Sequence, residues 1–317
     1  MKLLVTRRLP ERVIAALEPE FDLTYRDATL PLDADGAVAA LTDFDAVLPT
    51  LGDPFGSETF ARAGACRARV LANFGVGYNH IDVAAARAAG VLVTNTPGAV
   101  TDATADIAMT LILMSARRAA EGERLVRAGG WTGWHPVQML GLNVTGKTVG
   151  IVGMGRIGKA IARRCHAGFG MQVVFYNRSP VADAGVPARQ MATLTEVMAA
   201  ADIVVVAVPG GPATRHLIDS AALAAMQPHA HLVNIARGDV VDETALMDAL
   251  EEGRIGGAGL DVYENEPAVP ERLRALDTVT LLPHLGTAAL EVREAMGMMA
   301  VENLLAVKRG AAPPNPV

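Results

Sequence analysis

The stretch "TVGIVGMGRIGKAIARR", residues 148–164, decides the fold class of this 317-residue chain. It begins as a continuous apolar run typical of a strand that is buried on both faces, and it ends as an Ala- and Ile-rich helix. Between the two, Gly153, Gly155 and Gly158 form a G-x-G-x-x-G pattern, which in this context predicts a dinucleotide-binding turn. The three glycines permit a tight turn, close approach to a pyrophosphate and tight helix packing, and the helix N-terminus attracts the phosphates.

Short apolar segments alternate with helical ones on both sides of this stretch. The candidate strands are residues 2–6, 21–25, 46–50, 69–75, 91–97, 148–153, 173–178, 202–208, 231–237, 257–263 and 278–283. Long helices are predicted over 101–128 and 287–309, and the "GAAPPNPV" tail after them is expected to be frayed. This alternation predicts an α/β chain with two doubly wound parallel sheets and a ligand cleft between the two domains.

The bulk composition excludes several classes of function. The net charge is −6 and no basic block is present, so we expect no nucleic-acid partner. The longest apolar run, residues 107–116, is far shorter than the roughly 20 residues of a membrane span, and the N-terminal apolar run is too short for a secretion signal. Cys66 and Cys165 are far apart and lack metal-ligand spacing. We therefore expect a cytoplasmic protein with reduced thiols and no metal.

The residues "NRS", 177–179, end the second strand of the dinucleotide-binding half. An acidic residue usually accepts the ribose 2′-hydroxyl at this position, and it would repel a 2′-phosphate. Arg178 instead offers a charge-assisted hydrogen bond to such a phosphate, helped by Ser179. The pattern favours NADP(H), with NAD(H) still possible. The alternative is that Arg178 only covers the adenine ring or lies in solvent.

Three polar residues follow apolar strands in the second half of the chain: Arg237, Glu266 and His284. Because the carboxyl ends of parallel strands meet at one edge, these side chains are expected to converge. Arg can bind a carboxylate and polarise a carbonyl, His can deliver a proton, and Glu can favour the protonated imidazole. The other histidines, which lack such a setting, are His80, His135, His166, His216, His229 and His231. Of these, only His135 remains a candidate for a functional role.

The chain as a whole resembles the D-isomer-specific 2-hydroxyacid dehydrogenases. The resemblance rests on residues 148–164, on "VNIARGDVVDETALMDALEEGRIGGAGLDVYENEP" (233–267) and on "LLPHLGTAA" (281–289), in the family's order and spacing. It implies a Rossmann dinucleotide-binding domain over 98–286. It also implies a discontinuous, flavodoxin-like substrate-binding domain over 1–97 and 287–317, and a homodimer joined through the dinucleotide-binding domain.

The resemblance also implies the roles of individual residues. Arg237 would bind the substrate, His284 would be the proton donor and Glu266 would pair with it. The substrate-binding set is Leu51, Val76, Gly77, Trp134 and Arg237, with the Val76 and Gly77 amides in "NFGVGYNH" (73–80) meeting the carboxylate. The cofactor-binding set is Thr104, Gly153, Gly155, Arg156, Ile157, Gly158, Asn177, Arg178, Ser179, Val208, Pro209, Thr214, Ile235, Ala236, Asp261, His284 and Gly286, of which Asp261 would hold the nicotinamide carboxamide.

Within the family, "GGWTGWHPVQMLG" (129–141) and "NRS" resemble the glyoxylate/hydroxypyruvate reductase branch. In that branch an aromatic residue near Trp134 narrows the active site, sometimes from the neighbouring subunit. One alternative is a reductase for a larger 2-oxo acid of the 2-ketogluconate or arylpyruvate type, which the pocket width near Leu51, Tyr78 and Trp134 would decide. The other is a dinucleotide-sensing binding protein, like the transcriptional corepressors that share the fold.

Overall fold

A computed structural model describes all residues of the chain, 1–317. The chain folds into two compact units, Met1–Val100 with Ala288–Val317, and Thr101–Thr287. Each unit is an α/β structure around a purely parallel sheet, which confirms the predicted fold class. The assignment of substrate binding to residues 1–97 and 287–317, and of dinucleotide binding to residues 98–286, stays a prediction.

The elements follow one another in strict alternation over most of the chain. The strands are β1 (Lys2–Val5), β2 (Asp22–Tyr25), β3 (Ala46–Leu48), β4 (Val70–Ala72), β5 (Leu92–Thr94), β6 (Thr148–Val152), β7 (Gln172–Tyr176), β8 (Ala188–Gln190), β9 (Ile203–Val206), β10 (His231–Asn234), β11 (Gly257–Leu260) and β12 (Val279–Leu281). The α-helices are α1 (Glu11–Leu17), α2 (Ala34–Asp43), α3 (Ser57–Ala63), α4 (Val83–Ala88), α5 (Thr101–Ala116), α6 (Ala119–Arg127), α7 (Arg156–Phe169), α8 (Leu194–Ala200), α9 (Ser220–Ala224), α10 (Glu243–Glu251), α11 (Glu271–Arg274) and α12 (Leu290–Lys308).

The first unit holds a five-stranded sheet in the order β2-β1-β3-β4-β5. Its central strands are short apolar runs, and residues such as Val47 and Leu71 are fully buried. These side chains meet Leu41 and Phe60 from the covering helices in one continuous core. The helix α12 returns to this unit and packs against α1, so the two ends of the chain share one core.

The C-terminal tail is ordered by β5, so the expectation of a frayed end was wrong. The amide of Val317 donates to the carbonyl of Val93, and Pro316 forms an antiparallel bridge with Thr94. The buried side chain of Asn303 accepts from the amide of Asn315 at 3.0 Å. The tail therefore satisfies backbone groups at the edge of the sheet that would otherwise face water.

The second unit holds a seven-stranded sheet in the order β12-β11-β10-β9-β6-β7-β8. Alternate residues of each strand enter opposite cores: in β9, Val204 and Val206 face one core while Ile203 and Val205 face the other. The strand order reverses between β6 and β9, which is where open parallel sheets bind ligands beyond the carboxyl ends of their strands.

Two features of the second unit differ from the sequence prediction. The single helix predicted over 101–128 is broken into α5 and α6, because Leu142 donates its amide to the Ala116 carbonyl, and Arg118 turns into the left-handed region with φ of 53°. The edge strand β8 was not predicted, since "ARQ" is polar and largely exposed. Neither change moves the carboxyl edge of the sheet.

None of the helices combines the length and the apolar character that crossing a bilayer requires.

Candidate functional site

The glycine turn between β6 and α7 is shaped to receive an anion. Gly153 has a φ of 101°, and α7 begins directly after Gly155 without any side chain capping its first amides. A Cβ added to Gly158 would lie 2.1 Å from the Gly153 carbonyl oxygen, so only glycine lets the helix approach the strand. A Cβ on Gly155 would have no atom within 4 Å, which leaves open space in front of the free amides. This cradle fits the pyrophosphate of a dinucleotide.

Asn177, Arg178 and Ser179 divide into a structural residue and two exposed ones. The Asn177 side chain accepts from the Met154 amide at 3.2 Å and donates to the Ser179 carbonyl at 2.9 Å, which ties the end of β7 to the glycine turn. Arg178 and Ser179 are exposed, and their side chains form no hydrogen bond or ion pair. Their side chains are therefore available to an external anion.

The remaining residues of the predicted cofactor set lie around the carboxyl edge of the same sheet. Val208, Pro209 and Thr214 follow β9, Ile235 and Ala236 follow β10, Gly286 follows β12, and Arg156 and Ile157 form the first turn of α7. The Thr214 hydroxyl donates to the Pro209 carbonyl at 2.7 Å. Thr104 on α5 is buried and donates to the Gly286 carbonyl at 3.3 Å. These two hydroxyls brace the loops at this edge.

Arg237 is a largely buried cation with an unused donor. Its Nη1 donates to the Ala236 carbonyl at 2.6 Å, and its buried Nε has no hydrogen-bond partner. Burial lowers the pKa of the guanidinium, and the charges of Glu266 and Asp239 partly offset this, so the group stays protonated at neutral pH. A buried unsatisfied donor of this kind is costly and suits a carboxylate ligand.

Glu266 and His284 are hydrogen-bonded, with the Glu266 Oε2 2.9 Å from the His284 Nδ1. The other Glu266 oxygen accepts from the Tyr263 amide at 3.1 Å. Burial would raise the pKa of Glu266, but the hydrogen bond and charge of His284, the Tyr263 amide and the charge of Arg237 outweigh burial and lower it. The carboxylate is thus ionised and can stabilise an imidazolium. Both side chains are 31% exposed, so His284 can exchange protons with solvent.

Asp261 holds the loop that carries His284. Its two carboxylate oxygens accept from the amides of Leu285, at 2.6 Å, and Gly286, at 2.8 Å. His284 itself adopts a left-handed conformation with φ of 55°, and its amide donates to the Asp261 carbonyl. Strain of this kind persists where the surrounding contacts impose it. In the structure Asp261 positions His284.

The predicted substrate loop, in the first unit, presents two free amides. The Asn73 side chain donates to the carbonyls of Gly75 and Gly77, both at 3.0 Å, and the Asn95 side chain donates to the carbonyl of Val76 at 2.9 Å. With their carbonyls held from behind, the amides of Val76 and Gly77 form no hydrogen bond. Two adjacent free N–H groups suit a carboxylate.

The other two predicted substrate residues are exposed. Leu51 follows β3 at 38% exposure, and its carbonyl accepts from Arg7 at 2.9 Å. Trp134 lies in the irregular segment between α6 and β6 and is 79% exposed. No hydrogen bond connects the Trp134 side chain to another predicted residue of the second unit.

The asparagines that shape the 73–80 loop and the turn of Arg237 were not predicted from the sequence. Besides Asn73 and Asn95, Asn234 at the end of β10 accepts from the Ala236 amide and donates to the Arg237 carbonyl, both at 3.0 Å, which fixes the turn of Arg237. Asn73 and Asn234 each stand at the end of an otherwise apolar strand in the sequence. A buried amide in such a position is a recognisable sign of a loop clamp.

Comparison with known proteins shows the family of the chain. Residues 109–286 match the family model of the D-isomer specific 2-hydroxyacid dehydrogenase NAD binding domain. The glyoxylate reductase of Pyrococcus furiosus is 44% identical over 318 residues, covering 99% of this chain and 94% of that protein. The glyoxylate reductase of Thermococcus kodakarensis is 44% identical over 319 residues, covering 99% and 95%.

Solved structures resemble the whole chain. A Thermus thermophilus protein superposes with a TM-score of 0.91 at 41% identity, with 100% of both chains covered. The NADPH-dependent glyoxylate/hydroxypyruvate reductase of Sinorhizobium meliloti, solved with NADP and malonate, gives 0.88 at 37% identity, covering 100% of this chain and 96% of that one. The glycine turn and the set of Arg237, Glu266 and His284 are accompanied by a matching family model and by full-length relatives. The chain belongs to the D-isomer-specific 2-hydroxyacid dehydrogenases, in the glyoxylate reductase branch.

Proposed function

We propose that this enzyme reduces small 2-oxo acids, such as glyoxylate and hydroxypyruvate, to 2-hydroxy acids and prefers NADPH to NADH. The observation that carries the proposal is the His284–Glu266 hydrogen bond, at the same sheet edge as the buried Arg237 with its unused Nε donor. Relatives named glyoxylate reductases support the substrate class.

The residues that would hold the cofactor fit a nicotinamide dinucleotide. The free amides at the start of α7 would bind the pyrophosphate, and the exposed Arg178 and Ser179 would bind a 2′-phosphate. Thr104, Thr214 and Asp261 would shape the loops around the rest of the cofactor, and Asp261 would also accept a hydrogen bond from the nicotinamide carboxamide. When bound, the reduced dinucleotide supplies the hydride that the carbonyl carbon of the substrate receives.

Arg237 would bind and polarise the substrate. Its guanidinium can hold the carboxylate and place a positive charge beside the 2-oxo group, which becomes more negative as the carbonyl is reduced. This interaction favours an acid whose carboxylate is adjacent to the carbonyl. In the first unit, the free amides of Val76 and Gly77 would also suit a carboxylate.

His284 would donate the proton to the carbonyl oxygen. The Glu266 carboxylate accepts from Nδ1, so Nε2 is the nitrogen left to face a substrate. Glu266 stabilises the imidazolium before transfer, and solvent restores the proton afterwards because the side chain is partly exposed.

Substitution of His284 tests this account. His284→Ala should lower kcat for glyoxylate by about two to four orders of magnitude, because the proton donor is lost. The matched control is His229→Asn, since His229 pairs with Asp202 at the other end of the sheet. Initial rates with glyoxylate, hydroxypyruvate and phenylpyruvate also test substrate size. Near wild-type turnover by His284→Ala, or faster turnover of phenylpyruvate, would contradict the proposal.

We also propose a cytoplasmic homodimer joined through the second unit. Five exposed apolar side chains fall within one short stretch of the sequence of that unit: Val126, Trp131, Trp134, Val137 and Leu140. So many exposed apolar side chains in one segment suit a protein interface. Sedimentation velocity should show a dimer, which Trp131→Glu with Val137→Glu should weaken; a wild-type monomer at micromolar concentration would contradict the proposal.

A further inference from the structure

His216, which the sequence analysis set aside, lies in an unusual conformation between β9 and α9. Its φ is 49°, in the left-handed region, and its amide donates to the Asp239 carbonyl at 2.8 Å. The imidazole Nε2 is 2.8 Å from the Glu264 Oε1, and Nδ1 is 3.9 Å from the Asp242 Oδ2. Because a carboxylate can only accept, Nε2 carries the proton of the Glu264 hydrogen bond.

This one residue joins three loops at the carboxyl edge of the sheet. It follows Thr214 in the loop after β9, its backbone binds the turn that follows Arg237, and its side chain binds the loop after β11 that carries Glu266. The link continues at Ile218, which exchanges backbone hydrogen bonds with Val240 and Asp242. The first of these loops holds residues of the proposed cofactor set, the second holds Arg237 and the third holds Glu266.

Glu264 is the point where the second and third loops meet. Its amide donates to the buried Glu243 at 3.3 Å, and its carboxylate also lies 3.4 Å from Arg215. Burial, together with the charge of Glu264, raises the pKa of Glu243. A Cβ added to Gly238 would lie 1.8 Å from the carbonyl carbon of Tyr263, so the turn after Arg237 rests directly on the Tyr263–Glu264 peptide.

The preceding peptide, Val262–Tyr263, contacts the partner of the proton donor. The Tyr263 amide donates to Glu266, whose other oxygen meets His284. A shift of Tyr263 and Glu264 therefore changes both the support of the turn after Arg237 and the position of the Glu266 carboxylate. The side chain of Glu264, held by His216, is one of the contacts that prevent such a shift.

We propose that His216 is a positioning residue for the reduction: through its hydrogen bond to Glu264 it fixes the loop of Glu266 and the turn of Arg237. The inference rests on the proposed function for its kinetic consequences. It goes beyond that function because His216 touches neither Arg237 nor His284 and acts through Glu264.

The test compares three variants with the wild type. His216→Asn keeps a residue that tolerates a left-handed backbone but is too short to reach Glu264. His216→Gln restores an amide N–H near the position of Nε2. The control is His229→Asn, which removes an equivalent histidine–carboxylate pair, 2.7 Å long, at the amino end of the sheet.

His216→Asn should lower kcat for glyoxylate about ten- to a hundredfold and leave KM for NADPH within about twofold, because the donor is misplaced while the cofactor site is intact. His216→Gln should recover most of the lost kcat, and His229→Asn should match the wild type.

Hydrogen–deuterium exchange gives a readout that needs no activity. The peptide covering 261–267 should exchange faster in His216→Asn than in the wild type or in His229→Asn. Unchanged exchange, or an unchanged kcat for glyoxylate, would overturn the inference, even if the unfolding temperature fell. If the wild type reduced no 2-oxo acid, the proposed function would fail, and the exchange result alone would still decide the role of His216.

Discussion

Arg178 is the residue on which the cofactor preference depends. It is exposed and its side chain has no partner, so removing it should not disturb the fold. Arg178→Ala should raise KM for NADPH about tenfold, because one charge-assisted hydrogen bond to the 2′-phosphate is lost, and should leave KM for NADH nearly unchanged. Steady-state kinetics with both cofactors measures the difference. An equal effect on both would place Arg178 against the adenine ring instead.

The positions of Arg237, Glu266 and His284 could be predicted because each follows an apolar strand and parallel strands end at one edge. The contacts that support them could not be predicted in detail. Asn234 marks the end of its strand in the sequence, but the hydrogen bonds by which Asn234 holds the turn of Arg237 and Asp261 holds the loop of His284 depend on the conformations of those loops. His216 gave no signal either, because its partner Glu264 is distant in sequence and its left-handed backbone has no glycine to mark it.

The glycine turn and α7 form the element that decides cofactor binding, and two of its glycines should respond differently to the same change. Gly155→Ala should fold normally, since the backbone angles of Gly155 suit alanine and the added Cβ meets no atom. The variant should bind NADPH at least about tenfold more weakly, because the methyl group would occupy the position of the phosphate. Gly158→Ala should lose about 1–3 kcal/mol of stability, because the methyl group meets the Gly153 carbonyl.

Thermal unfolding and fluorescence titration with NADPH separate these two outcomes. A Gly155→Ala protein with unchanged NADPH affinity would remove the pyrophosphate from this turn. A Gly158→Ala protein as stable as the wild type would show that α7 can move away from β6 without cost.

Buried strands can be predicted well from the sequence, whereas the elements at the edges of the sheets can be predicted only poorly. The apolar runs of β6, β9 and β10 stand out because both faces of each strand are covered. The edge strand β8, the break between α5 and α6, and the tail on β5 each depend on a tertiary partner. In the α5–α6 break, the partner Leu142 comes from well beyond the helix, so no local pattern shows it.

For the molecule as a whole, stability should fall on mild acidification because of one buried histidine. Burial, and to a smaller extent the charge of His229, lowers the pKa of His231 to about 4, and its Nδ1 lies 2.7 Å from the buried Ser115 hydroxyl. The folded protein keeps His231 neutral, while the unfolded chain takes up a proton near pH 6.5. This contribution is therefore complete above that pH and is lost as the pH falls toward about 4.

Between about pH 7 and pH 5 the wild type should lose about 2 kcal/mol of unfolding free energy to this residue alone. His231→Gln, which cannot titrate, should lose correspondingly less over the same interval, whereas the exposed His135→Gln should follow the wild type. Urea unfolding at the two pH values measures both. Equal losses of unfolding free energy in all three proteins would show that His231 is already protonated in the folded state at pH 5.

Reduction of small 2-oxo acids with NADPH can be followed as the loss of reduced-nicotinamide absorbance when glyoxylate is added to the purified protein. NADPH and NADH are supplied side by side at matched concentrations. We predict rapid oxidation of NADPH and much slower oxidation of NADH. Rapid oxidation of NADH instead would keep the reductase and contradict the role of Arg178, and no oxidation of either cofactor would contradict the proposed function.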